Sequence, residues 1–199
     1  MLKYLLVSII VLQTISCKTN NNENSQATLV TEAAASDSTN ADSFFPVTNY
    51  LRGQINDIRL KGVNPMIYTT VNKRTDSTWL KAENFEKEMA PFLETNIDAD
   101  NLTGIFSEKK FLDQTLNAYT FTYDPKTTLP DTLSLQHWDV YVDPNTNKVR
   151  RIYLIKKTKE NTQQQLTWQS DKWCKIVTIS VDEDDNSIVE KEVFIKWDF

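Results

Sequence analysis

Apolar side chains recur at three- and four-residue spacing in two early stretches of this chain, and at two-residue spacing through most of the remainder. Val47, Leu51, Ile55 and Ile58 make the first stripe, the mark of an amphipathic helix. Asp42 or Ser43 can cap its start, Pro46 is tolerated in the first turn, and Gly62 can end it in a left-handed conformation. Met66–Val71 is β-branched and aromatic and predicts a strand, and the polar run Asn72–Ser77 predicts a turn. A second helical face comes next in Ala82, Phe85, Met89, Phe92 and Leu93, with Ser77 or Thr78 as its cap and Pro91 kinking or ending it.

From Ile105 onward every segment reads as strand: 106–112, 117–123, 133–142, 149–158, 164–169, 172–181 and 188–199. Short polar turns separate most of them. Connections this close favour an antiparallel meander, because parallel neighbours need crossovers of about a dozen residues or more. The expected fold is therefore an α+β domain over residues 44–199, with two N-terminal helices packed on a curved antiparallel meander of about five to eight strands. Val193, Ile195, Trp197 and Phe199 alternate with Glu192, Lys196 and Asp198, so the last strand has a buried and a wet face, and Phe194 breaks the rule on the wet side. In the strand at 172–181, Trp173, Val177, Ile179 and Val181 line one face, while Cys174 and Ile176 make the other apolar too. Such a sheet is either covered on both faces over part of its area or encloses a cavity.

Ahead of this body, Lys3, the apolar run from Tyr4 to Leu12 and the small Ser16 have the layout of a secretion signal. The run is far shorter than the roughly 20 residues that span a bilayer, so the segment is expected to be cut away rather than kept as an anchor. Thr14, Ile15, Ser16 and Cys17 resemble the lipobox of bacterial lipoproteins, departing from it at Thr14, where leucine is usual. That resemblance implies removal of residues 1–17 up to a lipidated Cys17, carrying acyl chains of the palmitate kind, as the first mature residue. It also implies a bacterial envelope location at the outer membrane, since Lys18 stands where inner-membrane lipoproteins carry aspartate. Residues 18–43 are mostly Asn, Ser, Thr, Ala, Asp and Glu, too polar to repay chain entropy by burial. They read as a disordered tether with a mean reach of roughly 25–30 Å.

Composition narrows the chemistry. Three glycines in 199 residues leave no Gly-rich phosphate loop, and a net charge of −5 gives no reason to bind nucleic acid. With Cys17 lipidated, Cys174 has no disulfide partner. His137 is the sole histidine, so no zinc site forms with one distant cysteine, and a Cys174–His137 thiol pair lacks the helix N-terminus that activates such a cysteine. Asp98, Asp100 and Asn101 suggest a cation loop but lack the glutamate at its far end, and two turns, Asp143, Asn145 and Asn147 and then Asp182–Asn186, look like calcium loops that turn chemistry explains without a metal. The basic run Lys148, Arg150, Arg151, Lys156, Lys157 and Lys159 shares a rim with the acidic 182–185 turn in a simple meander, and mutual neutralisation is expected there.

No catalytic residue, metal or cofactor is indicated. There remains a surplus of aromatics in the meander. Trp138 and Tyr141 have opposite parity on one strand and cannot share a face, so a ligand or partner surface drawn from Trp138, Tyr141, Tyr153 and Trp168 is expected beside the core. The functional expectation is a membrane-tethered, non-enzymatic binding or accessory lipoprotein meeting an envelope protein or an apolar ligand. A cell-envelope hydrolase and a purely structural module are the alternatives.

Overall fold

The structure, a computed structural model, describes residues 43–197. The signal segment, Cys17 and all of the tether but Ser43 fall outside those residues, as do residues 198–199. Helix α1 (Val47–Leu60) follows the first apolar stripe, burying Val47, Leu51, Ile55 and Ile58. Its N-cap is Pro46, with no side-chain cap, and Gly62 takes the left-handed φ of +63° just past its end. Thr48 pins the helix to the 95–97 segment: its hydroxyl accepts from the Ile97 N–H at 2.7 Å and donates to the Thr95 carbonyl at 3.3 Å.

Strands β1 (Met66–Val71) and β2 (Arg74–Trp79) come next as a hairpin, then helix α2 (Ala82–Leu93). Seven further strands follow among the described residues: β3 (Phe106–Asp113), β4 (Ala118–Pro125), β5 (Leu135–Val142), β6 (Val149–Lys159), β7 (Thr162–Gln169), β8 (Trp173–Val181) and β9 (Ser187–Lys196). All pair antiparallel in one nine-stranded sheet of order β2-β1-β9-β8-β7-β6-β5-β4-β3.

This corrects the expected architecture. The described residues are mostly β, with nine strands and two short helices, rather than two N-terminal helices on a smaller meander. A hairpin stands between the helices, and its second strand occupies residues read from the sequence as a turn and a cap. The reason is physical: Arg-Thr-Asp-Ser-Thr-Trp has no alternation because all six side chains are exposed on an edge strand. The hairpin is made by the two-residue connection Asn72-Lys73, both at positive φ (50° and 63°), the mirror-image turn that matches strand twist. Elsewhere Asn117, Asn147, Asn161, Asp171 and Asp185 supply the left-handed turn positions that a glycine-poor chain must fill by other means. The free edges carry Arg74 and Asp76 on β2 and Glu108, Lys109 and Lys110 on β3, charges that discourage strand addition.

One core lies on one face of the sheet. Both helices and the 97–102 segment pack there against side chains such as Trp138, Ile152, Leu154, Leu166, Trp168, Cys174 and Ile195. Tyr123 stacks on Trp138 at 4.5 Å and 8°, with Phe44 and Phe106 edge-on to the same indole. A second aromatic group joins Phe92, Trp168 and Trp197 beneath α2.

Lys156 also points to this face and is only 3% exposed, its ammonium donating to the Pro91 carbonyl in the last turn of α2. Burial pulls its pKa down to about 8, with Glu94 pulling the other way. A depressed lysine is a net cost at neutral pH, since the unfolded chain holds that proton more tightly. Lys156→Met, similar in volume and apolar, is expected to leave the urea midpoint unchanged or raise it. A loss of more than about 1 kcal/mol would show that capping α2 outweighs desolvation.

Candidate functional site

Residues of one parity on each strand make the core face, so those of the other parity make a second face, and neither helix packs on it. Register places one residue per strand in a row across that face: Lys109, Thr122, Asp139, Tyr153, Thr167, Lys175, Phe194, Tyr68 and Ser77. Sheets twist by about 20–25° per strand, so the β3 and β2 ends of this face turn roughly half a revolution away from each other. The two halves differ in chemistry as well.

The β3–β6 half holds an ionic network around His137. Its Nδ1 lies 3.0 Å from Asp124 Oδ1 and its Nε2 3.2 Å from Asp139 Oδ1. Asp139 accepts in addition from the Thr122 hydroxyl at 2.7 Å and from the Tyr141 hydroxyl at 3.1 Å, and Lys109 stands 3.0 Å from Asp124. Hydrogen bonding to Asp139, then to Asp124, raises the His137 pKa against the opposing effect of burial. Burial works to raise Asp139, but His137 and Thr122 outweigh it and hold this carboxyl below its usual range. Asp124 is lowered chiefly by Lys109, then by His137. Burial and the Asp139 charge push Tyr141 up to about 12. An imidazolium clamped at both nitrogens has no free nitrogen with which to take a proton from a substrate.

The β8-β9-β1-β2 half is aromatic. Trp173 and Phe194 lie 5.5 Å apart between ring centroids, Phe194 and Tyr68 lie 6.0 Å apart, and Trp79, opposite Met66 on the edge strand, is 58% exposed. Lys175 and Glu192 pair at 3.7 Å beside the rings. Between the halves runs β7, whose residues on this face are Gln163, Gln165, Thr167 and Gln169.

The four aromatics named from the sequence are divided by the sheet. Trp138 and Trp168 are fully buried beneath the helices and do not reach the surface. Tyr141 and Tyr153 lie on the uncovered face, half-buried, and Arg151 sits over the Tyr141 ring at 5.6 Å. The cleft beside Tyr141 measures about 20 Å³, room for about one water molecule, so this is a surface and not a ligand cavity. Cys17 lies outside the described residues. Cys174 faces the core with its sulfur 3.7 Å from that of Met89, on the opposite side of the sheet from His137, and burial pushes its thiol pKa well up. The two cannot act together.

The basic run disperses. Arg150 donates to the Leu116 and Asn117 carbonyls, Arg151 to Gln169, and Lys156 is buried; no ion pair joins Lys157 or Lys159 to the 182–185 turn among the described residues. The Asp143 and Asp182 carboxylates accept backbone N–H groups of their own turns, which lowers both pKa values. Sequence reading missed Trp173, Phe194, Tyr68 and Trp79 as a group, because only register brings four strands from two ends of the chain together. The one local signal was Phe194, apolar where its strand should be wet.

No protein-family model, curated protein or solved structure matches the chain.

Proposed function

We propose that the chain is a lipid-anchored envelope protein, held by Cys17 and a tether of about 25 residues, that works without catalysis as a binding module. Its working surface is the uncovered face of the sheet. The observation that carries this reading is the contrast between the two faces: one is sealed by helices over the core, and the other bears Tyr68, Trp79, Trp173 and Phe194 with no helix over them among the described residues. Tyr68 and Trp79 are exposed and Trp173 and Phe194 half-buried beside them, and contiguous aromatic surface left in water marks interaction sites because that contact is unfavourable. The hydrolase alternative finds a histidine beside two carboxylates, but both imidazole nitrogens are committed to them and neither is left for a nucleophile.

Two measurements test the proposal. The full chain is expected in the membrane fraction and Cys17→Ala in the soluble fraction, with an acylated Cys17 by mass spectrometry; an unmodified thiol there would remove the anchor from the account. Sedimentation of the released Cys17→Ala form with isolated envelopes is expected to weaken about tenfold or more on Trp173→Ala, as for an aromatic anchor at an interface. Equal sedimentation of both forms would remove the surface.

A further inference from the structure

The geometry points to a neutral glycan chain as the occupant of the aromatic half of the face, a deepening that rests on the binding-module reading above. Trp173, Phe194, Tyr68 and Trp79 fall on four neighbouring strands, and with strands about 4.8 Å apart they form a strip of roughly 14–15 Å. Successive rings are tilted by 50° and 39°, following the twist of the sheet, so the strip suits a chain that turns along its length rather than a flat planar ligand. Sugar rings present apolar C–H faces that stack on aromatic side chains, and rims of hydroxyls that need hydrogen-bond partners.

The surroundings supply such partners mostly from uncharged side chains. On one side stand Gln165, Thr167 and Gln169 of β7, and on the other the hydroxyls of Thr70 and Thr75, 2.8 Å apart, with Ser77. The Lys175–Glu192 pair satisfies its own charges while keeping lone pairs and N–H groups available at the edge of the rings. Beyond the Lys175–Glu192 pair, the strip carries one further cation, Lys196, which stands between Trp173 and Met66 and is engaged within the chain, so a polyanion would meet a single occupied lysine rather than a basic cluster. Amide and hydroxyl groups beside a row of aromatic rings are what an uncharged polyhydroxyl chain requires.

Affinity electrophoresis of the full-length chain, in a sugar-free detergent, through gels containing hydroxyethyl cellulose, xylan, galactomannan, β-1,3-glucan or soluble starch tests this. Retardation by at least one of these is expected, weakened tenfold or more by Trp173→Ala and by Tyr68→Ala, kept by Tyr68→Phe and by Leu112→Ala, with circular dichroism confirming that each variant is folded. No retardation in any gel, or retardation that the ring substitutions leave intact, overturns the glycan assignment. Specific capture of an envelope protein that is lost with the same ring substitutions would also overturn it, while leaving the binding-module reading in place.

Discussion

Replacing Trp138 with alanine is expected to destabilise the fold by about 3–5 kcal/mol, enough to consume much of the stability of a domain this size. The indole is fully buried, stacked on Tyr123 and met edge-on by Phe44 and Phe106, so its removal opens a cavity walled by three rigid rings that cannot collapse into it. Phe44 comes from the segment ahead of α1, so the loss should also loosen the entry to that helix. Trp138→Phe should cost much less than alanine, because the buried indole N–H has no protein acceptor to lose. Tyr153→Ala, on the uncovered face, should cost less than about 1.5 kcal/mol. Urea denaturation followed by circular dichroism separates these outcomes. A loss below about 1 kcal/mol for Trp138→Ala would mean that this side chain is not part of the core.

Asp139→Ala is expected to cost about 3 kcal/mol, since one buried carboxylate accepts from His137, Thr122 and Tyr141 and its loss leaves the three donors without an acceptor. The same network dictates a pH profile. His137 titrates higher in the fold than its reference value of 6.5, so its stabilisation is complete below that pH and is lost as pH rises through the raised folded value. Asp139 and Asp124 titrate lower than 3.8, so theirs is present above that pH and is lost as pH falls through the depressed folded values. Stability should therefore be greatest between about pH 4 and 6.5. The groups facing the imidazole are Asp124 with Lys109 behind it and Asp139 with Tyr141, and Tyr153 stands opposite Asp139 on the next strand. Lys156 contributes with opposite sign above about pH 8, so the comparison belongs below that. His137→Gln should flatten the decline between pH 6.5 and 8, and an unchanged decline in that variant would show that another group causes it.

How far the sequence could be read depended on whether a feature was periodic. The stripes of α1 and α2 and the alternation of Val193, Ile195 and Trp197 are visible because burial imposes a period on them. The edge strand β2 was not, because exposed side chains are under no such constraint and its hairpin turn is Asn-Lys rather than a glycine pair. Parity on β5 does put His137, Asp139 and Tyr141 on one face, so half of the ionic network could have been inferred from the strand alone. Asp124 could not, since its place beside His137 depends on how β4 and β5 register. Parity likewise separated Trp138 from Tyr141, but only the order of nine strands decides which of the two faces the helices cover. The aromatic strip is the extreme case: β1 and β2 precede β8 by about a hundred residues, and no local pattern foretells that β9 will return to pair with β1.

The most direct test of the claim that one face of this sheet is core and the other is the working surface is oxidative footprinting by mass spectrometry, comparing the purified full chain with the chain in intact envelopes. The account predicts that Trp173, Phe194, Tyr68 and Met66 are oxidised in the purified chain and protected in envelopes, while Trp138, Trp168 and Trp197 are protected in both. Equal oxidation of the first group in the two states, or oxidation of the second group in the purified chain, would contradict it.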